Sequence, residues 1–477
     1  METNIAKREL AYRQTDQRNA LAVGVLTNLI VSFLGSVMNL STPDISSEFS
    51  VGAGTVSWFV TSYILASAVF SVPFGKYADL HGRKKILMLG LGLLSVTSGL
   101  IILPKSFGLL LVLRFIQGIG AAMIFATNVA IVSCAYPAGG RGKALGITIS
   151  AAYIGQSAGP VLGGFLNHQM GWRSIQLFIL AISLAALLSV LRKLPWDKRR
   201  EDAGPMDFAG SILLVSSLVL LMYGFSSLGS GGAGKICLAA GALLLVMFIR
   251  YEFAISNPVI NVRLFAENKG YMLSNFAAML NYGATYMIAF VLPIYLQTVK
   301  GFDSQSAGFI MAAQPVVIAL LAARIGRLSD RRCPFRLASL GMLLSAAGLL
   351  CFSFLRLDTS VAQIVFSLVL VGLGFSFFSS PNTNAIMSFV GEDQYGMASS
   401  VMAAMRAVGN TASMAGITLL LSLRLGNIQL AQAPPAEVVS AIGPAFLVFA
   451  AVCGVGVYLS ASRRSVSHKE KKTAAPF

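Results

Sequence analysis

The sequence predicts an all-α polytopic membrane protein: two pseudo-symmetric six-helix bundles plus two inserted transmembrane helices, fourteen in total, with both termini cytoplasmic. Three observations carry that prediction. Of 477 residues, 56% are hydrophobic and only 12% are charged, and the apolar residues come in runs of about twenty, the length that crosses a bilayer. The cations cluster in short segments between those runs. Short motifs of the first half also recur, in order, in the second.

The apolar runs fall near residues 20 to 42, 52 to 74, 84 to 103, 108 to 136, 143 to 166, 173 to 192, 208 to 228, 234 to 250, 270 to 297, 305 to 327, 335 to 355, 361 to 389, 396 to 424 and 440 to 461. The segment before the first run is polar and mixed in charge, and no small-residue cleavage pattern follows the run, so it reads as a retained helix and not as a signal peptide. Of the 36 Lys and Arg, Arg114 and Arg406 lie within runs. Lys105, Arg173, Lys235, Lys300, Arg356 and Arg424 fall on one side, and all the others on the side of the N-terminus. Loops rich in Lys and Arg stay inside, and an even number of crossings returns the C-terminus to the same side.

The repeat divides the chain. Gly75-Lys-Tyr-Ala-Asp79 is echoed by Gly326-Arg-Leu-Ser-Asp330, Gly118-Ile-Gly120 with Asn128 by Gly372-Leu-Gly374 with Asn382, and Gly155 by Gly409, at a near-constant offset. Residues 1–200 therefore form one six-helix bundle, 201–262 the inserted pair, and 263–477 the second bundle with a basic tail. Both copies start on the same side, so the repeat is parallel, about an axis along the membrane normal.

The net charge of +17 belongs to this topology and does not indicate nucleic acid. The five cysteines are scattered without CxxC spacing, and the three histidines sit near helix ends or in the tail. Neither a disulfide framework, a metal site nor a nucleophile with its base is indicated, so no enzymatic role and no cofactor is expected.

Several stretches carry more information. Gly75 and Gly82 bracket a tight reversal that presents Asp79 beside Arg83. An acceptor-only carboxylate there can pair with Arg83 or with N–H groups at a helix N-terminus such as that near Gly396, or it can simply be a solvated turn. Arg114 lies inside the fourth run, where a guanidinium costs about 2.5 to 3.5 kcal/mol and needs a partner. With Gly118, Ala121, Phe125 and Asn128 on its face, it would line a cavity. Arg406 poses the same problem in the thirteenth run.

In the fifth run, Gly155, Gly159 and Gly163 stack on one helical face, with Gln156, Pro160 and Gly164 beside them. This side-chain-poor, bent helix fits either a sliding contact between the two halves or an ordinary small-residue helix contact. Asn28, Ser32, Ser36 and Asn39 share a face of the first helix, and Asn275, Tyr282 and Tyr286 share one in the ninth, with Asn281 adjacent. With Gln314, Asn382, Asn384 and Asn410 they are candidates for a wet central path, although single amides also serve as interhelical glue.

These motifs resemble the major facilitator superfamily of secondary transporters. Gly75 to Lys85 looks like its loop motif, Arg114-Phe-Ile-Gln117-Gly118-Ile-Gly120 like its fourth-helix motif, and Gly155 to Gly164 like the motif of its antiporters. Fourteen helices, and Trp172-Arg173 opening the sixth, resemble the drug/proton antiporter branch. The resemblance implies a monomeric, multi-pass inner-membrane transporter that exports small amphiphilic organic compounds by alternating access, with proton antiport as its energy source. It further implies a cytoplasmic latch at Asp79 and a coupling or substrate role for Arg114.

One departure stands out: Leu34 occupies the position where the branch has an Asp before the turn Asn39-Leu-Ser-Thr-Pro43. No acidic residue lies in the middle third of a helix. An organic-anion exporter or facilitator without proton coupling therefore stays open, as does a transport-dead sensor on the same fold.

Overall fold

The structure is a computed structural model. It describes residues 2–38, 41–51, 53–136, 138–194, 206–226, 232–255, 258–260, 262–302, 304–425 and 434–473. Among the described residues there is no strand.

Two compact units emerge: residues 1–208 with 390–403, and residues 209–389 with 404–477. The first half of the chain forms α1 (Glu2–Val37), α2 (Thr42–Glu48), α3 (Ala53–His81), α4 (Arg83–Leu100), α5 (Phe107–Ala135), α6 (Ala138–Met170) and α7 (Trp172–Lys193). It continues through α8 (Phe208–Ser226), α9 (Gly232–Ala254), α10 (Val262–Glu267), α11 (Lys269–Ile294) and α12 (Ser304–Met311). The rest forms α13 (Ala313–Arg331), α14 (Pro334–Ser353), α15 (Val361–Ser388), α16 (Tyr395–Leu425) and α17 (Pro435–Thr473). Each apolar run of the sequence overlaps helix among the described residues.

Among the described residues, ten helical stretches have the length and hydropathy to cross a membrane. Two of the four runs outside that set have identifiable reasons. α4 opens on Arg83, Lys84 and Lys85, and α6 is diluted by glycine.

Helix boundaries follow local chemistry. Ser106, Asn268 and Ser360 accept the backbone N–H of Leu109, Tyr271 and Gln363 and so cap α5, α11 and α15. The reversal between α3 and α4 is made at Gly82, whose φ of 102 is open to glycine but strained for other residues.

Three features depart from simple runs. The tenth run is two helices, α12 and α13, meeting at Ala312 just before Pro315, which has no N–H to continue the ladder. Beyond Pro293 the last turn of α11 widens into a π-helix, Tyr295–Val299. α17 runs on to Thr473, well past the end of its apolar run, because no Gly or Pro lies between Tyr458 and Thr473 to stop it.

Each unit has its own core. In the first, Ile30, Leu34, Leu91, Ile124 and Ile175 are fully buried; in the second, Met287, Leu368, Phe378 and Phe446 are. Large apolar side chains such as Leu103, Phe165, Ile236 and Tyr458 are exposed. In water such a surface would cost about 25 cal/mol per Å² of apolar area, whereas against lipid tails it costs nothing.

The repeat is visible in contacts as well as in letters. In the first unit Asn128 Nδ2 donates to Gly24 O on α1 (2.9 Å), and in the second Asn382 Nδ2 donates to Ser274 O on α11 (3.2 Å). A Cβ on Gly155 would collide with Leu29 O, and one on Gly409 with Met279 O. Each bare glycine lets its helix lie directly on the backbone of the first helix of its own repeat.

Candidate functional site

The loop after α3 is a fastening point. Asp79 sits in the last turns of α3 with its side chain 6% exposed. Its carboxylate accepts the backbone N–H of Gly396 (3.0 Å) and of Met397 (2.8 Å) in the first turn of α16, where helix N–H groups take partners from outside the helix. Arg83, one turn on, donates Nε to Asp79 Oδ1 (3.0 Å) and forms an ion pair with it (2.9 Å). The same guanidinium reaches Glu392 O and Cys134 Sγ, each at 2.5 Å. Gly75 allows the approach, since a Cβ there would overlap Ser400 Oγ.

Two further bonds hold the same segment, 390–403, to the first unit: Arg141 Nη1 donates to Tyr395 Oη (2.8 Å) and Ser399 Oγ to Ala126 O (2.5 Å). The repeated Asp330 accepts Asn384 Nδ2 at 3.5 Å within the second unit.

Arg114 does not line a cavity. It is fully buried, donating Nε to Phe59 O (3.3 Å) and Nη1 to Gln117 Oε1 (2.5 Å), with its guanidinium 4.3 Å from the ring centroid of Tyr63 and 5.0 Å from that of Phe59. Gln117 in turn donates to Ser98 Oγ (2.8 Å) and Gln176 Oε1 (3.1 Å). The expected cavity fails because Gly118 places this face of α5 directly against the backbone of Tyr63 on α3. Asn128 is likewise spent on α1, donating to Gly24 O and Thr27 Oγ1.

Most of the other amides are also helix glue. Asn28 Nδ2 donates to Thr148 O (3.2 Å), tying α1 to α6. Asn275 donates to Tyr271 O (3.1 Å), and buried Asn281 lies by Cys453. Ser32 and Ser36 are half-buried, and Ser36 lies against Gly159. Gln156 is exposed and Gln314 and Tyr286 are half-buried, while Asn39 falls outside the described residues. Gly155, Gly159 and Gly163 pack on Leu29, Ser36 and Val37 of α1. The glycine face thus serves a contact inside the first unit, not the sliding contact between halves that the sequence also allowed. Pro160 and Gly164 continue the same helix.

The second deep cation, Arg406, lies in the second unit. Arg406 is half-buried, 5.8 Å from the ring centroid of Tyr282. Tyr282 is held edge-on to Phe375 (5.1 Å, 76°), with Tyr282 Oη 3.3 Å from Ser379 Oγ.

A sequence profile described as the Major Facilitator Superfamily matches residues 24–414 and 275–476. The chain belongs to that superfamily. It is similar to the riboflavin transporter RibZ of Clostridioides difficile, with 27% identity over 89% of this chain and 93% of RibZ. It is also 31% identical to the multidrug resistance protein Stp of Mycobacterium tuberculosis, over 83% of this chain and 74% of Stp. Among solved structures, the human organic anion transporter MFSD10 shares the fold, with a TM-score of 0.65 and 18% identity over 93% of this chain and 99% of that one. This is a multi-pass membrane transporter of the superfamily, whose members work by alternating access.

For this superfamily member, the sequence reading missed Arg463. That residue counts as a tail cation by its letters, yet it is 1% exposed, donating Nη1 to Ser274 Oγ (3.0 Å) and Asn382 Oδ1 (2.6 Å). The missing stop signal after Tyr458 was the available clue. Lys84, another cation of the loop, is 3% exposed and donates Nζ to Leu191 O (3.3 Å) and Leu194 O (2.5 Å) at the end of α7. Nothing in the letters separates Lys84 or Arg141 from ordinary positive-inside residues.

Proposed function

We propose that the protein is a secondary active exporter of small amphiphilic organic compounds, driven by proton antiport, acting as a monomer in the cytoplasmic membrane with both termini inside. The observation that carries this reading is the pair of N–H bonds from Gly396 and Met397 to Asp79. Hydrogen bonds to a charged group contribute roughly 1.5 to 3 kcal/mol each, the same size as the few kcal/mol that separate two conformations of a switching protein. Making them in one state and breaking them in the other is therefore enough to bias the equilibrium.

Residues 390–403 continue into α16 and the C-terminal repeat, so their release from Asp79 is a conformational event. The names of RibZ and Stp support a small organic cargo.

The test is transport in liposomes carrying an imposed proton gradient, with a lipophilic dye as cargo. Uphill, gradient-dependent movement is expected. Movement that follows only the dye's own gradient overturns coupling, and none under any condition overturns transport.

A second reading, movement of organic anions without proton coupling, is favoured by Leu34. It is fully buried among apolar side chains at the position where the resembled branch has a titratable carboxyl. Under that reading flux persists when the proton gradient is collapsed.

A further inference from the structure

α16 is one unbroken helix, Tyr395–Leu425, yet it divides between the two compact units: residues up to 403 group with the first and those from 404 with the second. The two parts are held by different chemistry. Beyond the division, Gly409 lies directly on Met279 O and Gly283 of α11, a close approach of bare backbones. Before it, the helix is held by polar bonds to α3, α5 and α6.

The bond to α6 differs in kind from the grip of Asp79. Arg141, in the first turn of α6, is 5% exposed, and Tyr395, the first residue of α16, is 6% exposed. Arg141 Nη1 donates to Tyr395 Oη at 2.8 Å, and the guanidinium lies 5.7 Å from the centroid of the same ring. Asp79 holds backbone N–H groups, which any residue but Pro would supply at 396 and 397. Arg141 holds a side-chain hydroxyl, which a Phe in the same place would lack. Because Gly155 sets α6 on the backbone of α1, this bond ties α16 to the packed centre of the first unit and not to the loop after α3.

We propose that Arg141 and Tyr395 are positioning residues that form a second fastening of α16, independent of Asp79, and that its strength sets how often the first turns of α16 let go. The inference deepens the transport reading above and rests on it: release of residues 390–403 is the event that opens the cytoplasmic side. Bonds that hold a segment opening as one unit all enter its opening equilibrium. Loss of one fastening therefore leaves the other in place, and loss of both multiplies the two effects. A weaker fastening also enlarges the cytoplasm-open share of the population, which tightens the apparent affinity for cargo loaded from that side.

The experiment is hydrogen–deuterium exchange on the full chain in lipid nanodiscs, read by mass spectrometry at residues 398–403. Tyr395→Phe removes one oxygen and keeps the ring, and it is expected to speed exchange there about tenfold, the worth of one hydrogen bond to a charged group. Arg141→Leu should do at least as much. Combining the two should add nothing beyond Arg141→Leu, because both remove the same bond, whereas Tyr395→Phe with Asp79→Asn should give the product of the separate effects. Exchange over residues 155–163 should not change. In liposomes loaded with rhodamine 123, Tyr395→Phe should lower KM from the cytoplasmic face about threefold or more and slow kcat, a split that a mere packing defect does not produce.

The inference is overturned if Tyr395→Phe leaves exchange at 398–403 within about twofold of wild type, or if the acceleration spreads equally to 155–163. It is also overturned if the Arg141 and Tyr395 effects multiply, or if KM for rhodamine 123 stays the same or rises. If Arg141→Leu does not fold, Tyr395→Phe alone and with Asp79→Asn decides, and a combined effect below the product sinks independence. The predicted exchange pattern without rhodamine 123 flux in the wild type counts against the transport reading alone. Gradient-driven flux with unchanged exchange counts against the second fastening alone.

Discussion

At the scale of single residues, the buried polar groups divide by the company they keep. Arg114 is held by neutral oxygens and ring faces, so its network stands or falls together: Gln117→Leu strands Arg114 Nη1, Ser98 and Gln176 at once. Each unsatisfied buried group costs about 1 to 3 kcal/mol, and the variant is expected to melt at a clearly lower temperature in detergent than Ser32→Ala, a half-buried control.

Glu48 gives a prediction about pH. The Arg173 guanidinium hydrogen-bonds it and holds its carboxyl below the ordinary 4.5, assisted by Trp172 and opposed by partial burial. Arg173 pairs with it at 2.5 Å, and Trp172 Nε1 donates to it at 2.8 Å. A depressed folded-state pKa means that the contribution is complete above the unfolded value and is lost as pH falls through the folded one. Thermal stability should therefore be flat with respect to this group from neutral pH down to its ordinary value and decline below that. Glu48→Gln should remove that part of the decline, read by thermal shift across a pH series.

At the scale of elements, the glycine faces of α6 and α16 decide how near two helices come. A Cβ at Gly155 or Gly409 meets a backbone carbonyl, which cannot rotate away as a flexible side chain would. Gly283 tightens the second contact, since a Cβ there would lie 2.9 Å from Gly409 O. Overpacking of this kind costs typically 1 to 3 kcal/mol. Gly155→Leu and Gly409→Leu are expected to lower thermal stability and transport together, while Gly92→Leu, where nothing lies within 4 Å, leaves both near wild type.

The loop after α3 behaves differently because its bonds are polar and few. Asp79→Asn keeps the shape of the side chain but removes the charge that two N–H groups and Arg83 share. Transport should fall at least tenfold, corresponding to about 1.4 kcal/mol, with the melting temperature changed by only a few degrees. An unchanged rate would remove Asp79 from the cycle.

At the scale of the whole molecule, the duplicated architecture was legible in the letters because a bilayer imposes so strict a code. Each span must satisfy its own backbone hydrogen bonds within a helix and must be long and apolar, so runs and echoed motifs reveal the helices and their repeat. The Asp79 fastening was half legible: the carboxylate and its basic neighbour are local. Its partners Gly396 and Met397 lie more than 300 residues away, where the letters offered the helix start near Gly396 only as one candidate, and Arg141 with Tyr395 carries no signal at all.

The two arginines mark the limit most clearly. By sequence, Arg114 and Arg406 are alike, each a cation inside an apolar run, because hydropathy measures a residue's cost in lipid and is blind to the direction it faces. The helical, membrane-spanning character of the chain, its internal repeat and the place of each charge along its sequence were determined by sequence alone. Which of the two arginines is sealed in was decided by tertiary packing: a bare Gly118 draws α5 onto α3 and closes over Arg114, whereas Arg406 stays half-buried beside Tyr282.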